Sequence, residues 1–256
     1  MALPKAVILA AGRGSRMESQ TANKPKCLVE LAGRSLLDWQ CTALRENGLT
    51  DILVIRGYKA ECLQGDYETA DNPRWQDSNM VVTLMTAERR LAQNPCVISY
   101  ADIVYHPSHV ALLIRTEGDI VITYDTSWET LWSQRFLNPL DDAETFKTEQ
   151  GRLQEIGRKT TRIEDVNGQY MGLLKFTPTG WQQIKDTVSE LPQASLDRLD
   201  MTGLISKLLE RDIMINTVPI TGKWCEADSG DDLKLYESLI SEAEVSGQSW
   251  AHDWRW

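Results

Sequence analysis

The sequence predicts an α/β fold, a mostly parallel sheet flanked by helices. Three observations point to it. Ala6-Val-Ile-Leu9 and Ile52-Leu-Val-Ile55 are short apolar runs without polar alternation, the pattern of strands buried on both faces. Between them Ser35 can cap a helix through Leu36, Leu37, Trp39, Gln40, Ala43 and Leu44, which Asn47-Gly48 ends. Strand, helix and strand in that order imply a right-handed crossover and a parallel pair, with ligands beyond the carboxyl ends of the strands. The first glycine loop and Gly57-Tyr58 both fall at that edge.

Further elements follow in turn. Val82, Leu84, Met85, Ala87 and Leu91 make a helical stripe that Asp77 or Ser78 can cap. Pro95 to Tyr100 is an apolar strand with Asp102 just past its end; Asp102 could equally cap the helix of Val110 and Ile114, which Pro107 and Ser108 can also start. Asp119-Ile-Val-Ile-Thr-Tyr124 is a strand, and Trp128 and Trp132 share one helical face, as core or as an aromatic wall. Residues 145–159 read as a hairpin turning at Gln150-Gly151. Residues 169–176 form a strand, 179–188 and 200–211 helices, and 213–220 a strand. The last helix runs through Leu233, Tyr236 and Ile240, with Asp231 and Asp232 as first-turn acids. We expect one domain over residues 1–245, with a lobe inserted at about 124–176. The tail, 246–256, carries three of nine tryptophans, so a docked or partner-covered end is expected.

The 256 residues carry a net charge of −10, which argues against non-specific nucleic-acid binding. Five scattered cysteines without a C-x-x-C pair indicate neither a disulfide framework nor a zinc site. No leader and no run of membrane-spanning length is visible, so a cytoplasmic protein is expected.

The first strand ends in Gly12-Arg13-Gly14-Ser15-Arg16, and Asn23-Lys-Pro-Lys-Cys27 brings further cations. A strand, a glycine loop whose N–H groups can surround an anion, and returning positive charge suggest a polyphosphate site. Met17 stands where the dinucleotide fingerprint needs its third glycine, and no P-loop run exists. Asp102 and Glu226-x-Asp228 lie at or just after expected strands, and carboxylates beside a polyphosphate loop are the expected ligands of Mg²⁺. His106, His109 and His252 read as surface or capping residues.

Leu9-Ala-Ala-Gly-Arg-Gly-Ser-Arg16, Lys24-Pro-Lys26, Ser99-Tyr-Ala-Asp102 and Trp224-x-Glu-x-Asp228 together resemble the nucleotidyltransferase superfamily that makes nucleotide-activated sugars and alcohols. Asp77-Ser-Asn-Met80, Gln169-Tyr-Met-Gly-Leu173 and Glu226-Ala-Asp-Ser229 resemble its phosphocholine cytidylyltransferase-like branch, most closely the cytidylyltransferases that act on phosphonates and often accompany phosphoenolpyruvate mutase. The resemblance implies a Rossmann-like nucleotide-diphospho-sugar transferase fold whose small inserted lobe binds the acceptor. It implies a Mg²⁺-dependent transfer of CMP from CTP to a small phosphonate or phosphomonoester, such as a phosphorylated amino-alcohol, and leaves room for a homodimer.

On that likeness Leu9, Ala10, Ala11 and Gly12 face the base and ribose, with Gly57 and Asn79 nearby. Gly14, Ser15 and Arg16 hold the triphosphate, and Lys26 neutralises charge on the α-phosphoryl group. Arg16 and Lys26 are thus the catalytic cations, and Asp102, Glu226 and Asp228 hold the metal. Trp128, Trp132, Tyr170 and Trp224 are acceptor candidates. Asp125, Glu129 and Asp141 would suit a cationic acceptor; Arg135, Arg158 and Lys159 an anionic one. The rival readings are a sugar-1-phosphate uridylyl- or thymidylyltransferase and a non-catalytic nucleotide-sensing domain.

Overall fold

The computed structural model describes residues 3–256. The chain begins with β1 (Lys5–Ala10), the short pair β2 (Glu30–Leu31) and β3 (Arg34–Ser35), α1 (Leu36–Arg45), β4 (Ile52–Arg56) and β5 (Glu68–Asp71). Then come α2 (Met80–Met85), α3 (Glu88–Leu91), β6 (Cys96–Tyr100), β7 (Ile103–Tyr105), α4 (Pro107–Arg115), β8 (Ile120–Asp125) and α5 (Trp128–Arg135). The remainder is β9 (Glu144–Glu149), β10 (Arg152–Lys159), β11 (Gln169–Phe176), α6 (Pro178–Ser189), α7 (Gln193–Leu196), α8 (Met201–Leu209), β12 (Asn216–Ile220), β13 (Trp224–Glu226) and α9 (Gly230–Ser246).

Nine strands form one sheet in the order β5-β4-β1-β6-β11-β8-β12-β10-β9. β5, β4, β1 and β6 are mutually parallel, as are β8 and β12; β11 and β10 run against their neighbours. The unbroken apolar runs behave as a doubly covered sheet requires. In β1, Ala6, Ile8 and Ala10 enter one core while Val7 and Leu9 enter the other. Burying each of the larger side chains contributes about 1.5–3 kcal/mol, so neither face tolerates a polar substitution easily.

Several expectations change. The stripe expected from Val82 to Leu91 falls in two helices, and Asn79, not Asp77 or Ser78, caps the first, its Oδ1 accepting the N–H of Met80. β11, placed at the end of an inserted lobe, lies in the middle of the sheet between β6 and β8, so residues 124–176 are not a separate body. Asp231 and Asp232 do sit in the first turn of α9, where Ser229 and Asp232 form a capping box.

Of the three histidines only His106 is a cap, of α4. His109 and His252 are buried, 3% and 0% exposed, because α4 and the tail turn them inward. The tail docks: Trp254 is fully buried, edge-on to Trp39 of α1 at 6.0 Å between ring centroids. Burial pushes His109 down to about 3, with His106, Lys223 and His252 adding to the effect and Asp125 opposing it. The unfolded chain therefore takes up a proton below about pH 6.5 that the folded chain refuses. Stability should fall as pH drops toward 3, by about 2 kcal/mol at pH 5 from this one residue. Urea midpoints between pH 6.5 and 4 should show a shallower acid limb in His109→Leu; an unchanged limb would contradict this.

Candidate active site

The carboxyl ends of β1 and β6 open onto one cleft of about 270 Å³. Leu9, Ala10, Ala11, Gly12, Gly14, Ser15, Arg16, Lys26, Asn79 and Asp102 all line it, together with Asp228. Gly57 does not. Its backbone lies behind the loop, where the neighbouring Tyr58 N–H bonds the Ala11 carbonyl at 3.0 Å and a side chain on Gly57 would strike that carbonyl. Gly57 supports the loop instead of facing a nucleotide.

Gly14 is the turn of the loop. Its φ is +70°, and a Cβ there would lie 2.7 Å from the Cβ of Lys26. The glycine thus lets Lys26 pass close beneath the loop into the cleft. The Lys26 ammonium donates to Asp102 Oδ2 at 2.8 Å and Asp228 Oδ1 at 2.6 Å. Burial works against its charge, yet the two carboxylates hold its pKa above the usual lysine value. Arg16, largely exposed, reaches Asp228 Oδ2 at 3.1 Å. Residues from opposite ends of the chain therefore meet at one point.

The acids are brought together by a second, small sheet. β7, just after Asp102, pairs antiparallel with β13, which ends at Glu226. The Ala227 N–H bonds the Asp102 carbonyl at 2.9 Å. Carboxylate oxygens of Asp102, Glu226 and Asp228 consequently lie within 4.8 Å of one another. Asp102 Oδ1 is buried and has no hydrogen-bond partner among the described residues. An all-oxygen donor set with an unused buried oxygen suits a hard divalent cation. Glu226 keeps 24% side-chain exposure, but burial, helped by the Asp228 charge, pushes its carboxyl above the usual range against the pull of Arg135. Burial opposes ionisation of Asp228 too, but the Lys26 contact outweighs it and holds Asp228 below the usual range.

The aromatic acceptor candidates divide. Trp128, Trp132 and Trp224 are 4%, 0% and 1% exposed, so their faces are core. The four-residue spacing that put Trp128 and Trp132 on one face put them on the inward face of α5, where Trp132 packs on Trp224 at 6.1 Å. Asp125 is fully buried in backbone and side-chain hydrogen bonds. Arg135 is also committed, donating to Asp232 at 2.9 Å and to Glu226 at 3.4 Å beneath the acid cluster. Tyr170 and Lys159 are placed differently. Tyr170 meets Tyr100, at the end of β6, edge-on at 5.8 Å, and its hydroxyl is buried without a partner among the described residues. Lys159 is exposed and pairs in register with Glu144.

Sequence reasoning missed Trp75, Met80 and Thr83 on the cleft wall. It also missed Glu144, Asp200 and Thr202, which with Arg158, one of the anionic-acceptor candidates, wall a groove of about 360 Å³ that Glu144 and Thr202 continue toward Tyr170. No local pattern marks these side chains; only the folding of α8 onto the hairpin gathers them.

A family model, the MobA-like NTP transferase domain, matches residues 6–163. A CTP:phosphoglutamine cytidylyltransferase of Campylobacter jejuni is 34% identical over 247 residues, 90% of this chain and 98% of that one. A choline-phosphate cytidylyltransferase of Streptococcus pneumoniae is 36% identical over 97 residues, 35% of this chain and 42% of that one. Among solved structures, the inositol-1-phosphate CTP transferase from T. maritima aligns with a TM-score of 0.75 at 19% identity, covering 98% of this chain and 99% of its own, a likeness of fold. Among the described residues no helix is long and apolar enough to cross a membrane.

Proposed function

The chain belongs to the MobA-like NTP transferase family, and on that premise we propose that it transfers CMP from CTP to a small phosphorylated or phosphonate acceptor bearing an amino group. The observation that carries the reading is the Lys26 ammonium bridging Asp102 and Asp228 at the floor of a cleft walled by loop backbone.

The backbone of Leu9 to Gly12 would receive the base and ribose. Gly14 and Ser15 would offer N–H groups to the triphosphate, and Arg16 a fork of donors to the departing pyrophosphate. Lys26 would meet the charge that develops on the α-phosphoryl group. The ionised acceptor oxygen attacks the α-phosphorus; the new P–O bond forms as the α–β bridging bond breaks, and its electron pair leaves on pyrophosphate. No strong general base is needed, so positioning and electrostatics carry the rate. Mg²⁺, held by Asp102, Glu226 and Asp228, would neutralise triphosphate charge.

For the acceptor, the groove beside Tyr170 replaces the buried tryptophans. The segment leading to Asp200 is tied to the cleft rim by Asn79, whose side chain donates to the Arg198 carbonyl at 3.1 Å. Glu144, half-buried, and Asp200 suit an ammonium group, and glutamine and choline, the moieties named for two relatives, each carry one. The test is pyrophosphate release from CTP or UTP with phosphomonoesters and phosphonates, with and without an amine. CTP with an amine-bearing acceptor should be preferred, and Glu144→Gln should raise KM for that acceptor roughly tenfold, the worth of one charged contact, while leaving KM for CTP unchanged. Better turnover of sugar 1-phosphates with UTP would overturn the reading in favour of a uridylyltransferase.

A further inference from the structure

Asp125, at the end of β8, is 0% exposed, yet four groups from beyond β8 converge on its carboxylate. Its Oδ1 accepts the N–H of Ser127 at 2.8 Å, before α5, and that of Gly222 at 3.0 Å, before β13. Its Oδ2 accepts the indole N–H of Trp224, in β13, at 2.9 Å, and lies 2.9 Å from Nε2 of His252, in the tail. A carboxylate only accepts, so Nε2 carries the hydrogen.

The tail also meets β13 directly. The Lys223 N–H bonds the Ala251 carbonyl at 2.9 Å, and Cys225 Sγ approaches the His252 carbonyl at 3.5 Å. Gly222 has φ +56°, and a Cβ there would lie 2.2 Å from the Ala251 carbonyl oxygen. Only glycine permits this approach. Among the described residues β13 pairs with β7 alone, so the ribbon that presents Asp102 and Glu226 is backed not by the large sheet but by the tail, Asp125, Trp132 of α5 and Tyr236 of α9, whose hydroxyl donates to the Glu226 carbonyl at 2.8 Å.

We propose that His252 is a positioning residue: through Asp125 and Trp224 it fixes β13, and so sets the spacing of the Asp102–Glu226–Asp228 cluster for a divalent cation. The tail is then part of the metal site's support although none of its atoms enters the cleft. Outer partners of metal ligands commonly change affinity by about 10–100-fold, and His252, one step further out, belongs at the low end. The proposal rests on the metal reading above, and the test separates the two.

The full chain is titrated with Mn²⁺ alone, and free Mn²⁺ is read by electron paramagnetic resonance, below the thermal midpoint of every variant. His252→Leu should weaken Mn²⁺ binding about tenfold, and His252→Gln, which restores an N–H at the same reach, should recover most of it. Arg255→Ala is the control. It removes the tail's pairs with Asp253 and Glu244 and should lower the midpoint without moving Mn²⁺ affinity. Should His252→Leu not fold, Trp224→Phe deletes a different hydrogen bond to Asp125 and should weaken Mn²⁺ likewise. Unchanged affinity in the folded His252 or Trp224 variants, or equal weakening in Arg255→Ala, overturns the proposal and leaves the metal reading standing. Absence of Mn²⁺ binding by the wild type overturns both.

Discussion

Lys26→Ala should lower kcat by about 10²–10³-fold or more, the loss typical of removing a charge-stabilising donor from the transition state. Two effects act together. The cation that would neutralise the α-phosphoryl charge is gone, and Asp102 and Asp228, now facing each other without it, repel. Lys26→Arg should not restore the rate, because the stem passes directly under Gly14 and a planar guanidinium does not bridge the two acids as an ammonium does. Single-turnover pyrophosphate release gives the measurement. A rise in KM for CTP with kcat unchanged would limit Lys26 to ground-state binding.

Asp228→Asn is the second large effect. Asp228 is the carboxylate shared by Lys26 and Arg16, and with Glu226 it belongs to the proposed cation site. Its backbone N–H is held separately, by Asp232 at 3.0 Å, so the amide variant should fold with a midpoint close to wild type. Turnover should fall by about 10²-fold or more and Mn²⁺ affinity with it, as for a lost metal ligand. Asp102→Asn should behave the same way. Turnover near the wild-type rate in either variant would remove the carboxylates from the mechanism.

What the sequence disclosed was what is encoded locally. The β1 run, the Gly14 turn, the Ser35 cap, the 145–159 hairpin and the first-turn acids of α9 each rest on neighbours in the chain, and each occurs. Asp102, Glu226 and Asp228 could be named as a group, but not the means of gathering them. β7 and β13 have three residues each and pair across more than a hundred residues, too short for any periodicity to register. Burial was the other blind spot. Nothing in Trp128, Trp132 or Trp224 as residues separates a wall from a core, and His252 is buried because the tail docks through Trp254 on Trp39 and Ala251 on Lys223, contacts remote in sequence.

The sheet order has a consequence for how such an enzyme diversifies. The cleft proposed for the triphosphate hangs on β1 and β6, while Glu144 and Arg158 stand on a hairpin at the opposite margin, joined to the remaining sheet beside Arg152 and Asn216. On the proposed reading, a graft at that margin would revise which small molecule is activated without disturbing the donor nucleotide's berth. Descendants of one ancestor can thus inherit a fixed engine and trade its payload.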